Sequence, residues 1–310
     1  MTPDAIRPVI ARWFPDQDIA IERAGSGTST PVFPVRVAGD TFFARLAEDP
    51  GERRDAEVAV HRLLTASGVP VPRIVRYEPD PPDLDRSLAL TTRVPGVALA
   101  DASTGPWLPD VACAAGDALS RFNALPVRGY GWVSGIDDDG ALLAAHPTRA
   151  TWAAEYLAAA ETVAASGILA SGIAADTASA VARWAVLPDP AISRLAHGDL
   201  DATHLYVDPA SAEKPFTGII DFGEIRGADP LYDLGHLLLH DGEGGRPVLL
   251  PSLLAGYTQG TPLPGDTMHA IRLHALAIGA RALAIQSGRP HTPYRAWLAH
   301  RLTELTSAEG

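Results

Sequence analysis

The chain has 310 residues, of which 46% are hydrophobic and 20% are charged, and its formal net charge is −12. This length and composition predict a globular protein of one large or two modest domains, and the negative charge argues against nucleic acid as a partner while suiting a cationic small molecule. A single cysteine excludes an internal disulfide, and neither a signal peptide nor a membrane-spanning stretch is expected, so we predict a cytoplasmic location.

The first third of the chain is predicted to be rich in strands. Apolar residues alternate with polar ones in short runs that Gly, Pro and Asp separate, which is the pattern of strands joined by turns. A turn is expected at Gly39-Asp40. The predicted elements are a helix at 4–13, strands at 19–24, 32–37 and 41–46, a helix within 52–68, and strands at 74–77 and 87–94.

A loop rich in Gly, Ser and Thr follows the first of these strands. Its residues Gly25, Ser26 and Gly27 could fold over nucleotide phosphates and offer backbone N–H groups to them. The loop has neither the Walker A pattern nor a full G-x-G-x-x-G, so no dinucleotide site is predicted. Taken alone, the same residues also fit an ordinary loop.

The remainder of the chain is predicted to be mostly helical. Apolar residues recur there with a 3.6-residue period, and residues 129–143 (GYGWVSGIDDDGALL) are expected to be a loop. A strand-rich segment followed by a helix-rich one indicates an α+β fold with the two kinds of element segregated. Helices are predicted at 108–125, 148–165, 176–187, from 229 onward, and at 247–257, 267–286 and 293–306.

The chemistry concentrates in residues 195–223 (LAHGDLDATHLYVDPASAEKPFTGIIDFG). Phosphoryl transfer needs one carboxylate that orients the attacking hydroxyl and accepts its proton, and further ligands that hold metal ions against the nucleotide phosphates. Asp199, then His204, and then Asp221 beyond two strand-like runs supply such groups in the order found in kinases. Each short motif alone would also fit a simple turn.

This segment resembles the aminoglycoside phosphotransferase family, whose usual pattern is H-G-D-x-x-x-x-N followed by an apolar-D-aromatic step. The resemblance continues through Asp229-Pro230 to Asp233. His204 stands where the family usually has Asn, and macrolide kinases of the same superfamily carry His there. The resemblance implies an α+β, two-lobed protein-kinase-like fold with a small β-rich N-terminal nucleotide-binding lobe at 1–94, a hinge at about 91–96, and a large helical C-terminal lobe at 97–310 that holds the catalytic loop and the acceptor site.

The resemblance also implies roles for individual residues. Asp199 would be the catalytic base, and His204 and Asp221 would ligate Mg²⁺ or Mn²⁺. Arg45, in place of the usual Lys, would steady the phosphates of ATP or GTP with Glu57 as its ion-pair partner, although an exposed Arg and a helix-face Glu would look the same in sequence. The remaining implied groups are Thr92 and Val94 beside the purine, and His197 as a brace of the catalytic loop.

The expected activity is transfer of the γ-phosphate of a nucleoside triphosphate to a hydroxyl of a small, cationic antibiotic: an aminoglycoside, a macrolide or a peptide antibiotic. The candidates for recognising the acceptor are its acidic neighbours Asp201, Glu224, Asp229 and Glu155. One alternative is a kinase of an ordinary metabolite such as choline, homoserine or a sugar-amine. Another is a catalytically inactive, nucleotide-binding pseudokinase, because Arg45 and His204 replace the usual Lys and Asn.

Two further histidines, His236 and His240, lie four residues apart on the helix expected after residue 229. They could share one face toward a metal ion. The H-E-x-x-H pattern of zinc proteases is absent, so we expect a structural role for both.

Overall fold

The computed structural model describes residues 2–23, 32–102, 105–188, 192–211, 215–260, 263 and 265–307. The chain forms two compact units. Residues 1–97 and 206–223 make unit 1, and residues 98–205 and 224–310 make unit 2. The sequence placed residues 206–223 with the helical C-terminal lobe, whereas their contacts group them with the N-terminal part of the chain.

Helices dominate the second half of the chain. Each agrees in position with a helix expected from apolar periodicity, with ends shifted by up to about five residues. In the part of the chain that the structure describes, the α-helices are α1 (Pro3–Trp13), α2 (Asp55–Ala66), α3 (Leu108–Phe122), α4 (Arg149–Ser166), α5 (Ser171–Ala185), α6 (Tyr232–His240), α7 (Leu250–Gly260), α8 (Thr267–Ser287) and α9 (Pro293–Ser307).

Strands occur in both units. Within the described ranges they are β1 (Ile19–Ile21), β2 (Val32–Val37), β3 (Asp40–Leu46), β4 (Ile74–Glu78), β5 (Leu88–Thr92), β6 (Val97–Ala98), β7 (Val127–Arg128), β8 (Tyr130–Ile136), β9 (Leu142–His146), β10 (Arg194–Ala196), β11 (Leu205–Val207), β12 (Phe216–Ile219) and β13 (Arg226–Ala228).

A five-stranded antiparallel sheet organises unit 1, with strand order β1-β2-β3-β5-β4. The β2–β3 hairpin turns at Ala38 and Gly39, which both have positive φ values of 52° and 88°. The turn therefore lies one residue earlier than predicted, because two successive positive φ values give the twist that flanking strands require. Alternate residues of β2 and β3 pack against α1, and this core contains Ile6, Val9, Ile10, Phe33, Val35, Ala44, Leu46, Leu88 and Leu90.

The segment 129–143 is a correction to the sequence prediction. It forms most of β8 and β9 rather than a loop, and these strands belong to a second five-stranded sheet of order β10-β13-β8-β9-β7 in unit 2. Only residues 137–141 turn, because Asp137 Oδ1 accepts hydrogen bonds from the amides of Asp139 and Ala141. The Gly and Asp residues that indicated a loop lie at irregular positions of the strands and in this short turn.

The helices of unit 2 pack around an aromatic centre. Trp152, Tyr156 and Trp184 are fully or almost fully buried, with Trp152 5.2 Å from Tyr156 and 5.5 Å from Trp184 between ring centroids. Helix α8 closes this core with residues such as Leu276 and Leu283. Rings of this size bury a large apolar area and fix the mutual orientation of the helices.

Helices α3 and α7 approach each other closely through two glycines. A Cβ atom on Gly116 would lie 1.9 Å from the carbonyl oxygen of Leu253, and one on Gly256 would lie 1.8 Å from the carbonyl oxygen of Cys113. No side chain fits at either place, so the two backbones are in direct contact at this crossing.

Helix α8 is also a correction. By length and composition alone it could cross a membrane, whereas the sequence was expected to contain no stretch long enough. More than half of the apolar stretch of α8 is buried inside the protein. A helix in a protein core can be as long and as apolar as a membrane-spanning helix, so length and composition do not distinguish the two.

Candidate active site

An ion pair joins β3 to α2 in unit 1. Arg45 Nε lies 2.9 Å from Glu57 Oε1, and both side chains are about nine-tenths buried. Arg54, just before α2, contacts the other oxygen of Glu57 and donates to the carbonyl of Leu46 at 3.2 Å. Burial alone would raise the pKa of Glu57, but Arg45, together with His61 and Arg54, holds it well below its usual range. Glu57 is therefore an anion that fixes the direction of the Arg45 guanidinium.

Asp221 meets the far end of the same guanidinium. Its Oδ1 lies 3.3 Å from Arg45 Nη2, and it also accepts a 3.4 Å hydrogen bond from the amide of Gly223. Asp221 has φ +65°, and half of its side chain is exposed. A left-handed conformation at a residue other than glycine costs of order 1–3 kcal/mol and clusters at functional sites. The next residue, Phe222, is buried with its ring 4.5 Å from that of His61, which anchors the backbone that presents Asp221.

The other nucleotide candidates lie in the same unit. Thr92 ends β5, and its amide donates to the carbonyl of Arg73 at 2.9 Å, so this N–H is engaged within the sheet edge. Val94 is buried just beyond the strand. Gly25, Ser26 and Gly27 lie outside the described residues.

Asp233 fixes the loop that carries Asp199 in unit 2. Its fully buried carboxylate accepts 2.9 Å hydrogen bonds from the amides of His197 and Gly198 and from Asn123 Nδ2. Gly198 has φ +87°, and a Cβ there would lie 2.0 Å from the carbonyl oxygen of Glu224, so only glycine fits. One carboxylate thus ties α6 to the segment His197–Gly198, which immediately precedes Asp199.

Asp199 itself presents a half-exposed carboxylate. Its Oδ1 lies 3.3 Å from His236 Nε2, and its amide donates to His197 Nδ1 at 3.3 Å. Burial alone would raise the pKa of Asp199, but His236 and the neighbouring His204 and His197 hold it well below its usual range. Asp199 is therefore ionised and ready to accept a hydrogen bond from a hydroxyl.

His204 lies beside this carboxylate with a defined tautomer. Its Nδ1 is 2.6 Å from the backbone carbonyl oxygen of Asp199, and a carbonyl only accepts, so Nδ1 carries the proton. In this tautomer the lone pair is on Nε2, which is the arrangement that a metal-ligating histidine has. The ring also lies 5.4 Å from that of His197.

Two of the four predicted acceptor-side carboxylates lie near Asp199. Asp201 accepts from the amide of Thr203 at 2.6 Å and lies 3.6 Å from Arg246. Glu224 pairs with Arg226 at 2.5 Å; burial, together with the charge of Asp199, raises its pKa.

The other two are engaged elsewhere in unit 2. Asp229 accepts a hydrogen bond from the amide of Leu231 at 2.8 Å and lies 3.6 Å from the buried His274 of α8. Glu155 is exposed on α4 and lies 2.9 Å from His146 of β9.

Sequence reasoning missed an aromatic cluster near Asp199. The rings of His240, Trp297 and Tyr294 are nearly parallel, with centroids 5.0 Å apart for His240 and Trp297 and 5.7 Å apart for Trp297 and Tyr294. His240 Nδ1 also lies 2.9 Å from Glu243. Burial raises the pKa of Tyr294, and the charges of Glu243, Asp199 and Asp201 raise it further. The i, i+3 spacing of Tyr294 and Trp297 on the predicted last helix was the available signal.

His236 was missed for a different reason. The sequence indicated a structural role, and nothing in its spacing from Asp199, 37 positions earlier in the chain, pointed to a contact. The contact arises because Asp233, one helical turn before His236, binds α6 to the loop that carries Asp199.

Known proteins resemble this chain in sequence pattern and in fold. The pattern of the phosphotransferase enzyme family matches residues 20–274. No curated protein matches the chain. The solved structure of aminoglycoside phosphotransferase APH(4)-Ia is similar over 100% of both chains, with a TM-score of 0.72 and 17% identity.

Two ligand complexes are similar as well. One is a thermostable mutant of APH(4)-Ia with ADP and hygromycin B, similar over 98% of both chains at a TM-score of 0.71 and 16% identity. The other is the GDP complex of aminoglycoside 2'-phosphotransferase-IIIa, similar over 100% of both chains at 0.71 and 18% identity. At these low identities the similarity shows the fold, which is the α+β kinase-like fold. The family pattern, in turn, covers most of the chain. The chain therefore belongs to the phosphotransferase enzyme family.

Proposed function

We propose that this chain is a small-molecule O-phosphotransferase that moves the γ-phosphate of ATP or GTP to a hydroxyl of a cationic acceptor, with an antibiotic as the first candidate. The observation that carries the proposal is the state of Asp199. Its ionised, half-exposed carboxylate stands on a loop that Asp233 fixes, in a member of a phosphotransferase family.

In this reaction Asp199 orients the acceptor hydroxyl toward the γ-phosphorus. The O–H bond breaks as the new O–P bond forms, the proton passes to Asp199, and the bond from the γ-phosphorus to its bridging oxygen breaks with its electrons left on the nucleoside diphosphate. Asp199 therefore contributes mainly by orienting the hydroxyl and less by accepting its proton, because little proton transfer has occurred when a loose transition state is reached.

Asp221 and His204 are the proposed ligands of a divalent ion. Such an ion, when bound, neutralises negative charge on the β- and γ-phosphate oxygens. The half-exposed carboxylate of Asp221 suits Mg²⁺, which prefers oxygen. The Nε2 lone pair of His204 suits a softer ion, so this donor set also accommodates Mn²⁺.

Arg45 is the proposed phosphate contact. The guanidinium pairs with Glu57 on its Nε side, and its Nη groups face Asp221, beside which we propose that the phosphates bind. A guanidinium binds phosphate oxygens in pairs, where a lysine would act as a point charge. Gly25, Ser26 and Gly27 are proposed to cover the phosphates with backbone N–H groups, with Thr92 and Val94 beside the purine.

The acceptor is proposed to be a cation with an apolar face. Asp201 and Glu243 supply negative charge near Asp199. Tyr294 and Trp297 supply aromatic faces, which attract cations. Hygromycin B is bound in the APH(4)-Ia complex described above, and kanamycin is bound in a GDP complex of APH(2")-IIia, which is similar to this chain at a TM-score of 0.68 and 20% identity. An aromatic cluster beside carboxylates equally favours a second candidate, a kinase of an alkylammonium metabolite such as choline.

The experiment is a turnover assay of the purified chain with ATP and with GTP against aminoglycosides, macrolides, peptide antibiotics and choline-like amines. Phosphorylated acceptor is detected by mass spectrometry. Asp199→Asn is the matched control, because it keeps the size of the side chain and removes its basicity, and its turnover should fall about 10²- to 10⁴-fold. Nucleotide binding without phosphorylation of any acceptor would favour the pseudokinase instead. We also propose a cytoplasmic location, where nucleoside triphosphates are abundant.

A further inference from the structure

Both ring nitrogens of His236 face hydrogen-bond acceptors. Nδ1 lies 3.1 Å from the backbone carbonyl oxygen of Leu200, and Nε2 lies 3.3 Å from Asp199 Oδ1. A carbonyl oxygen only accepts, so Nδ1 must carry a proton. In the neutral ring Nε2 would then turn its lone pair toward a carboxylate oxygen. Only the doubly protonated ring donates to both partners.

The surroundings hold the ring in this orientation. His236 is 6% exposed, and it belongs to α6, which Asp233 ties to the amides of His197 and Gly198. On its other side the ring of His240 stacks at 4.7 Å between centroids. Since the ring can neither rotate away nor exchange its partners for water easily, the two acceptors decide its protonation state.

We propose that His236 is an imidazolium in the working enzyme and a positioning residue for phosphoryl transfer, which holds Asp199 through Oδ1 so that Oδ2 meets the acceptor hydroxyl. The inference rests on the proposed role of Asp199. It adds a charged pair, Asp199 with His236, as the unit that orients the base.

The charges around the ring support the pair. Burial alone would lower the pKa of His236, but the hydrogen bond and charge of Asp199, the carbonyl of Leu200 and the charge of Asp201 raise it above its usual value. Glu224 adds a further carboxylate that interacts with this ring. His240 titrates in the opposite direction: burial and the charge of His236 lower its pKa, although Glu243 and Asp201 oppose this. A charged and a neutral imidazole are thus stacked face to face.

The pair of Asp199 and His236 also explains how the proton taken from the acceptor hydroxyl leaves the site after the reaction. When Asp199 takes the proton of the acceptor hydroxyl, it becomes neutral and no longer stabilises the imidazolium. Burial then favours loss of one proton from the pair to solvent, which restores one ionised carboxylate and one charged ring for the next turnover.

The test is the pH dependence of kcat/KM in His236→Gln and His236→Ala. A group whose folded pKa is raised stays protonated below that pKa, so the parent enzyme should lose activity as pH rises through it. Gln offers one N–H to Asp199 and does not titrate, so His236→Gln should keep part of the activity and lose this alkaline limb. His236→Ala should lower kcat about a hundredfold, because Asp199 loses its orientation.

His300→Gln is the matched control, since His300 is an exposed histidine of α9 whose Nε2 lies 3.2 Å from Glu304 Oε1. Its profile should equal that of the parent. Thermal unfolding of each variant separates misfolding from lost positioning.

A second measurement does not need turnover. The ¹⁵N resonances of the His236 ring should show both nitrogens protonated at pH 7 in the parent, and Asp199→Asn should lower the pH at which they titrate. A neutral ring in the parent, or a titration that Asp199→Asn leaves unchanged, overturns the pair. An alkaline limb that persists in His236→Gln also overturns it. If the ring behaves as expected while no acceptor is phosphorylated, the proposed activity fails and the charged pair stands.

Discussion

Three histidines contact Asp199, each through a different group. His197 accepts a hydrogen bond from its amide, His204 donates one to its carbonyl, and His236 contacts its carboxylate. The backbone of Asp199 is therefore held on both sides while its side chain keeps an exposed edge. A general base needs this combination of a fixed position and access to the substrate.

Substituting His204 tests its proposed role as a metal ligand. His204→Asn replaces an imidazole nitrogen by a carbonyl oxygen, and Mg²⁺ prefers oxygen whereas softer ions accept nitrogen. We expect the variant to stay active and to shift its preference from Mn²⁺ toward Mg²⁺, measured as the ratio of kcat/KM with each ion. His300→Asn, on an exposed face of α9, is the control and should leave the ratio at the parent value. An unchanged ratio in His204→Asn would remove His204 from the proposed metal site.

Some residues of the candidate site could be predicted from the sequence, and others could not. Asp199, His204 and Asp221 were predicted from their order along the chain, because phosphoryl transfer needs side chains of these types in that order, and their roles stay predictions. His236 does not follow from spacing, since its contact depends on the docking of a helix that starts more than 30 residues later. The buried contacts of Asp229 with His274 were likewise not visible in the sequence.

The Arg45–Glu57 pair links two elements, β3 and α2. If each side chain acts through the other, Arg45→Ala and Glu57→Ala should be non-additive, with a coupling of about 0.5–3 kcal/mol in kcat/KM. A double-mutant cycle measures this coupling. Asp117 and Arg121, an exposed pair on α3 at 2.7 Å, provide the control cycle, whose coupling should be near zero. Additive losses in the first cycle would indicate two independent charges.

The crossing of α3 and α7 makes a prediction about stability. Gly116→Ala places a methyl group against the carbonyl of Leu253, so the helices must separate, and overpacking of this kind costs about 1–3 kcal/mol. Gly172→Ala is the control, because a Cβ there meets nothing within 4 Å near the start of α5. Urea unfolding should show a loss of stability for Gly116→Ala and none for Gly172→Ala. Equal stability of the two variants would contradict direct backbone contact at the crossing.

At the scale of elements, regular helices and strands were predicted better than irregular strands. The helices follow from apolar periodicity, and the N-terminal strands follow from alternation. Strands β8 and β9 were missed because Gly131 and Gly135 and the Asp-rich turn after Ile136 give a strand pair the composition of a loop. Pairing with β13 and β7 stabilises these strands, and such long-range partners leave no local signal.

At the scale of the whole molecule, the net charge of −12 bears on the acceptor. A negative protein attracts cations over distances that salt shortens, from about 10 Å at 0.1 M to about 3 Å at 1 M ionic strength. We expect KM for a cationic acceptor to rise several-fold over this range while kcat changes little. Initial rates at both salt concentrations measure it, with an uncharged acceptor as the control. A KM that does not depend on salt would favour an acceptor recognised without its charge.

The carboxylate of Asp233 has a consequence for deuterium exchange. The amide hydrogens of His197 and Gly198 both end on this one buried group, so neither can exchange with solvent until the loop separates from α6. The two amides should therefore exchange together, at the rate at which the helix start itself opens. The loop that carries Asp199 and α6 would then form a single cooperative unit, and its protection factor would report the fraction of time that this unit spends open.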